Sequence, residues 1–512
     1  MSLFRASSTL ATHHQLAAGH HRFCALQSIS RNCSDVLPTF STVIRFVCVI
    51  RRITTTETPP AEQRMIIRRP TTQVALLLLI ACVATNAQQY GKQLRWVTQW
   101  KSLDFVFSSP KEREDAIASR RFIPENCLPL DVDVDYNSNN NSPRSRVFVT
   151  VPRFIEGIPA TLGTISPQSG PSGPLIEPYP NAAIQSNPDD GRCTGIVSVF
   201  RTKIDECNRL WIVDTGKIGS QRICLPKIIA FDLRTDQIIH QYQIPANQLV
   251  CDLSLLINIV VDVRDPPPTG TCSSTMIYVA DVTGSGMIVY DMARGKSWRV
   301  ANKHMNPNPD HGTFNILEDS FDLMDGLLAM ALSPKPPTDF TFNSAYGTSS
   351  KRPAVVNDRL MFFHALASVS EAAVRVSVLN NDTLWEQDAD AMPSAFRVIG
   401  RRTSQSAPEA MDSNGNLYFG LLNQMAIACW DSTTNYTPNN FKVVTQNQQT
   451  LQFPSGVKVI RNRKGIEELW VLSCRFQKIM TGTLNMNDTN FRIQAIQIPE
   501  LLDGARSCRP GY

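Results

Sequence analysis

The sequence predicts an all-β protein, a six-bladed β-propeller of four-stranded antiparallel sheets. Three observations lead there. Short β-branched and aromatic runs recur along the chain, each leaving a polar turn. Six of them, beginning at Val147, Leu210, Ile277, Leu360, Leu417 and Leu469, lie 63, 67, 83, 57 and 52 residues apart, room for four strands of about 5–6 residues plus turns. Long stretches of helical periodicity are almost absent. Radial repetition of four-stranded sheets protects their edges by ring closure. Two jelly-roll or sandwich domains are the alternative, but no central linker divides the chain.

From the N-terminus, the first element is a leader. Val74–Val83 is the one long apolar run, shorter than the roughly 20 residues a membrane-crossing helix needs. Met65, Arg68 and Arg69 precede it, and small residues up to Ala87 follow it, the three parts of a secretory signal peptide. Residues 1–64 are therefore expected to be an upstream extension, 65–87 the signal peptide, and 88–512 a single propeller domain without a membrane span. A disordered N-terminus followed by a membrane anchor is the alternative. Composition is globular, 42% hydrophobic and 19% charged. The formal charge of +5 belongs to the leader: nine of the 50 bases and three of the 45 acids precede Gln88, leaving 41 and 42. No basic field remains to argue for nucleic acid.

Nine of the 13 cysteines follow Ala87. In an exported chain most should form disulfides, and the odd number leaves at least one thiol over. None has C-x-x-C spacing, and no two of His240, His304, His311 and His364 stand four apart, so no metal site and no cofactor is expected. Asn381-Asp-Thr and Asn487-Asp-Thr are glycosylation candidates.

Within the propeller, the six spaced runs read as equivalent strands. Ile228–Leu233 and Met287–Asp291 read as the next strands of a meander, each ending in an Asp-containing turn. Asp322 to Leu332 fits a helix or a buried strand pair. Asp131, Asp133 and Asp135 alternate with Leu130, Val132 and Val134, which predicts a half-buried strand with a wet acidic face, or carboxylates gathered for Ca²⁺. Asp205-Glu206 reads as a turn whose charges cap backbone N–H groups, with acid/base work as the alternative. His304 and His311 read as loop residues. Leu94–Phe107 is expected to close the ring by pairing near Phe491–Ile498.

Trp100-Lys-Ser-Leu-Asp-Phe-Val-Phe107, Ile204-Asp-Glu-Cys-Asn-Arg-Leu-Trp-Ile-Val-Asp-Thr-Gly216 and Cys224-Leu-Pro-Lys-Ile-Ile-Ala-Phe-Asp-Leu233 resemble blocks of the yellow / major royal jelly protein family of insects. So do Tyr278–Asp281, Ile288–Asp291 with Ser297–Arg299, Asp325-Gly326 with Ala331–Pro334, and Ala428–Trp430. The resemblance runs from about Leu94 to Pro499. It implies a secreted six-bladed propeller and a menu of roles: cuticle pigmentation and melanin formation, dopachrome conversion in some members, biogenic-amine binding in salivary relatives, and food proteins. Ending shortly after Cys508 without a long repetitive tail, the chain is expected to be yellow-type.

In a propeller, loops at one mouth of the axis frame a pocket. A catechol or indole amine wants an aromatic wall, amide acceptors and a carboxylate. Gln405, Ser406 and Asn423 flank the Leu417–Leu421 strand, and the resemblance to amine-binding relatives points to that blade. Phe321 and Asp322 add a wall and a charge. With this pocket three roles stand open: an isomerase that tautomerises dopachrome-like quinones with Asp322 or a histidine as acid/base, a binder that holds an amine or catechol without turnover, and a structural cuticle or matrix component.

Overall fold

The computed structural model describes residues 91–136, 145–186, 192–335 and 358–509, and these form six four-stranded antiparallel sheets. The chain divides into two units, residues 1–77 and 78–512. The described residues belong to the second, and the leader expected over 1–87 lies outside them. Blade 1 holds Asp131–Asp135, Arg146–Thr150, Leu162–Gly170 and Gly173–Pro178; blade 2 holds Val199–Ile204, Arg209–Asp214, Lys227–Asp232 and Gln237–Gln243. Blade 3 holds Leu256–Val263, Thr275–Asp281, Gly286–Asp291 and Lys296–Ala301; blade 4 holds Leu327–Leu332, Leu360–Ala365, Ser370–Arg375 and Arg397–Arg401. Blade 5 holds Glu409–Met411, Asn416–Leu421, Ala426–Asp431 and Phe441–Gln446. Blade 6 combines Pro454–Arg461, Glu467–Ser473 and Phe491–Gln497 with the N-terminal strand Arg95–Trp100.

The first strand of each blade touches the first strands of its two neighbours, and the last such contact joins blade 6 to blade 1. The six first strands therefore surround the axis. The six aromatic runs with which the sequence began are the second strands of the six blades. A second strand is paired on both edges and packed between neighbouring blades on both faces. It therefore carries an unbroken apolar run: Phe148, Leu210, Trp211, Tyr278, Phe362, Phe363, Leu417, Phe419 and Leu469 are all buried. Ile228–Leu233 and Met287–Asp291 lie in third strands as expected, and Asp232 and Asp291 accept from backbone N–H groups in the turns that follow.

Ring closure runs antiparallel from Arg95↔Ala495 to Trp100↔Phe491, shorter than the stretch expected. Beyond Trp100 the chain leaves blade 6 and joins blade 1, where Val106 N donates to Ile176 O and Ile176 N to Asp104 O. Trp100 is buried and its Nε1 donates to Pro174 O of blade 1. Leu327–Leu332 resolves the two readings of that segment as a strand. Cys193–Cys224, Cys207–Cys272 and Cys429–Cys508 are disulfides, fitting an oxidising extracellular setting. Cys127, Cys251 and Cys474 are free. Among the described residues no helix is long and apolar enough to cross a membrane.

Candidate functional site

A cavity of about 890 Å³ opens along the axis, toward the face where the first strands end. The first strands of all six blades line it. The turns that leave the first strands of blades 2, 3, 5 and 6 are each fixed by a carboxylate or amide accepting backbone N–H groups. Asp205 accepts from Cys207 N and Arg209 N, Asp265 from Thr271 N and Ser274 N, Asp412 from Asn414 N and Asn416 N, and Asn462 from Lys464 N and Ile466 N. Asp205 also takes Arg209 Nε and Trp211 Nε1, both at 2.7 Å, so the turn reading of Asp205-Glu206 holds. Glu206 pairs with Lys335 across 3.5 Å at the rim.

The lining is mixed, more apolar over blades 3 to 5, where Arg359, Glu409 and Asp412 also face it, and more charged over blades 6, 1 and 2, where Val134, Val457 and Val459 do. Blades 3 to 5 contribute Ile259, Val261, Met330, Leu332, Pro408 and Met411. Blades 6, 1 and 2 contribute Asp133, Asp135, Arg201, Lys203, Lys458 and Arg461. Here the structure corrects the wet acidic face expected of Asp131, Asp133 and Asp135. All three are buried, because this strand is the innermost of its blade and its carboxylates point at the next blade. Asp131 Oδ2 accepts from Thr202 N at 3.0 Å and pairs with Lys458 Nζ at 2.9 Å. Asp133 Oδ2 accepts from Ile204 N, and Asp135 pairs with Arg146. Asp131 and Asp133 stitch blade 1 to blade 2, Asp131 also reaches blade 6 through Lys458, and Asp135 pairs with Arg146 of its own blade. Burial pushes Asp133 above the usual carboxylate range, with Lys458 and Lys203 pulling against it.

In blade 2, Val199 faces Asp214 and Thr202 faces Ile212, so Phe200 and Arg201 together oppose Val213. That β-bulge lets two consecutive residues leave the ladder, and bulges re-aim side chains beside sites. Phe200 joins an aromatic cluster and Arg201 faces the cavity.

The five sequence-derived site residues lie near the opposite face, where the first strands begin. The hairpin of Thr313–Ile316 and Asp319–Asp322 precedes blade 4 and reaches the turn Leu422–Gln424 and the helix Phe476–Met480 of blade 6. It therefore crosses the axis. Phe321 stacks on Phe314 (5.2 Å between centroids) and meets Phe476, which packs on Phe154 and Phe453. Asp322 is exposed and accepts from Thr313 Oγ1 at 2.7 Å. Gln405 Nε2 donates to Thr313 O and His311 O, tying blade 5 to the hairpin. Asn423 is exposed, and its N–H donates to Ser404 Oγ. Ser406 is fully buried and its Oγ donates to Pro408 O. Gln405, Asn423, Phe321 and Asp322 thus come together, Ser406 turns inward, and none of the five lines the axial cavity. Asn381 and Asn487 are both exposed.

Sequence reasoning missed a buried network between blades 4 and 5. His364, Glu371, Arg402 and Glu409 have wholly enclosed side chains. His364 Nδ1 lies 2.9 Å from Glu371 Oε2 and 3.2 Å from Glu409 Oε2, and its Nε2 lies 3.0 Å from the Ser406 carbonyl. The carboxylates at Nδ1 and the carbonyl at Nε2 favour the protonated ring. Burial and the Arg402 charge oppose this, and the two carboxylates outweigh them, raising the His364 pKa. By residue type the trio His364, Glu371 and Glu409 could ligate a divalent ion. Arg402, however, bonds Glu371 Oε2 directly and lies 3.3 Å from His364 Nδ1, so a cation already fills the centre. The only signal in the sequence was a charged residue at odd spacing in otherwise apolar strands, here and at Arg201 and Lys203.

The family model described as Major royal jelly protein matches residues 197–507. The Dopaminechrome tautomerase of Drosophila melanogaster is 32% identical over 82% of this chain and 85% of that protein. Major royal jelly protein 9 of Apis mellifera is 31% identical over 80% and 89%, and Protein yellow of Drosophila yakuba 32% identical over 83% and 72%. With the six-bladed ring, its closing strand and these matches in hand, the chain belongs to the major royal jelly protein family, which includes the yellow proteins.

Proposed function

We propose that the protein is exported through the leader at 65–87 and acts in cuticle pigmentation and melanin formation by converting a small catechol- or indole-derived quinone in its axial cavity. The observation that carries this is the cavity itself. Its volume of about 890 Å³ lies in the range of small-molecule sites, about 300–1,000 Å³. The more apolar side suits a ring face, and the more charged side offers cations to ring oxygens. The relative named Dopaminechrome tautomerase supports the reaction class. Tautomerisation moves a proton from ring carbon to quinone oxygen and needs no oxidant or cofactor. The negative charge that develops on that oxygen is what fixed cations stabilise. Exposed Asn381 and Asn487 are proposed to carry glycans. The test is the loss of dopaminechrome absorbance with purified protein: acceleration that saturates with substrate is expected, and a progress curve matching the protein-free control refutes turnover.

A second reading is amine binding on the opposite face, favoured by the exposed Asp322 carboxylate beside the Phe314–Phe321 stack. There an Asp322→Asn variant should lose calorimetric binding of dopamine, and unchanged binding removes that surface. Silence in both assays leaves the structural role in cuticle or matrix.

A further inference from the structure

Two cations of the axial cavity are incompletely matched. Arg201 donates from Nη1 to the Ser455 carbonyl at 2.6 Å, and its nearest carboxylate oxygen, Asp131 Oδ1, is 3.7 Å away. Its remaining N–H groups meet no acceptor among the described residues. Lys203, two residues on and so on the same side of the strand, has no hydrogen-bond or ion-pair partner among the described residues. Lys458 spends its ammonium on Asp131 Oδ2 and Thr202 O. Three cations therefore face two carboxylates, and Asp133 is already engaged by the N–H groups of Val134 and Ile204.

The other charges around the cavity have partners of their own: Asp205 pairs with Arg209, and Asp412 accepts from Asn414 N, Asn416 N and the Tyr418 hydroxyl. Lys335 pairs with Glu206, Arg359 with Asp262, Arg461 with Glu467, and Asp135 with Arg146. Glu409 faces His364, and Arg463 donates to the Tyr136 carbonyl. The surplus at the Arg201–Lys203 corner is thus positive. Arg201 is buried, which disfavours its charge and leaves its pKa lowered, so an anion there would relieve an existing penalty.

We propose that Arg201 and Lys203 form an oxygen-anion pocket, selecting a planar ring that carries a carboxylate or an ionised ring oxygen and rejecting one whose only charge is an ammonium. Arg201 presents a planar fork of donors, suited to two oxygens of one group, and Lys203 supplies a mobile point charge. The ring then lies against Met330, Leu332 and Met411 across the cavity. A protonated amine in the same corner meets unneutralised positive charge, so discrimination comes from repulsion as well as attraction. This rests on the proposed function, since it names the substrate class of that same cavity.

Calorimetry with two catechols tests it, 3,4-dihydroxyphenylacetate and dopamine, which differ in the charge of the side chain. The titrations use an Asp322→Asn background, which removes the exposed carboxylate of the opposite face. The acid is expected to bind at least about tenfold more tightly than the amine. Lys203→Met should weaken the acid by about tenfold and close the gap, while Lys203→Arg keeps most of it. Melting temperature confirms that each variant folds; Lys203 is only partly buried, whereas Arg201 also holds the Ser455 backbone, so Lys203 is the position to vary. Dopamine binding as tightly as the acid, an unchanged acid affinity in Lys203→Met, or no binding of either probe overturns the pocket. Dopaminechrome turnover that persists alongside any of these leaves the proposed function standing; acid-selective binding without turnover does the reverse.

Discussion

Glu409 carries two buried carboxylate oxygens, neither in a well-formed hydrogen bond, with Oε2 3.2 Å from His364 Nδ1. Burial and the neighbouring Glu371 charge push Glu409 from 4.5 up to about 7, against the pull of His364 and Arg402. Both Glu409 and His364 therefore have folded pKa values above their unfolded ones. Their contributions to stability are complete below the unfolded values, 4.5 and 6.5, and are lost as pH rises through the folded values. Glu371, held below its ordinary 4.5 by His364 and Arg402, acts with the opposite sign and is lost only as pH falls through its lowered value. Denaturant midpoints should thus decline as pH rises from 4.5 through about 7, and Glu409→Gln should flatten the decline. An equally steep decline in that variant would place the titration elsewhere. Tyr436, whose hydroxyl accepts from Arg402 at 3.2 Å, is held protonated by burial and adds no titration in this range.

At the scale of the element, the closing strand carries more than its six residues suggest. Arg95–Trp100 completes blade 6, and Trp100 reaches into blade 1 through its indole N–H. Truncating a buried Trp costs about 3–5 kcal/mol, and Trp100→Ala also removes the indole N–H that the Pro174 carbonyl accepts. We expect Trp100→Ala to lower the melting temperature by several degrees; a shift no larger than that of an exposed control such as Trp96→Ala would contradict the role. At the other end, Cys429–Cys508, Asn416 Nδ2 to Arg506 O and the Arg509–Asp431 ion pair hold the tail on blade 5.

At the scale of the molecule, the ring is what makes the site. The axial cavity belongs to no single blade; six first strands meeting around an axis create it. Deleting residues 91–101 would open the ring, leave Phe491–Gln497 as an unpaired edge and invite association through it. Size exclusion should then show oligomers where the intact chain runs as a smaller species, and dopaminechrome turnover should disappear with closure. A monomeric, fully active deletion would show that the closing strand is dispensable.

The recurrence of second strands was legible because their environment is the same in every blade: paired on both edges and packed on both faces, which only an apolar, aromatic run satisfies. Closure by Arg95–Trp100, an outer strand exposed except near Trp100, was legible instead from topology, since the last sheet needs a fourth strand, and the turn role of Asp205 followed from local hydrogen bonding. Asp131, Asp133 and Asp135 misled, because alternation of acid and apolar residues looks alike whether the acids face water or the next blade. Gln405, Asn423, Phe321 and Asp322 lie together at the opposite end of the axis from the cavity, a placement that no local pattern specifies. The sequence by itself determined the number of blades, their order and the strand that closes them, since these follow from local pattern. Which charges meet at the axis, and which of them lack partners, was decided only by the tertiary structure, because residues some 70 to 330 apart in the chain become neighbours only when the ring closes.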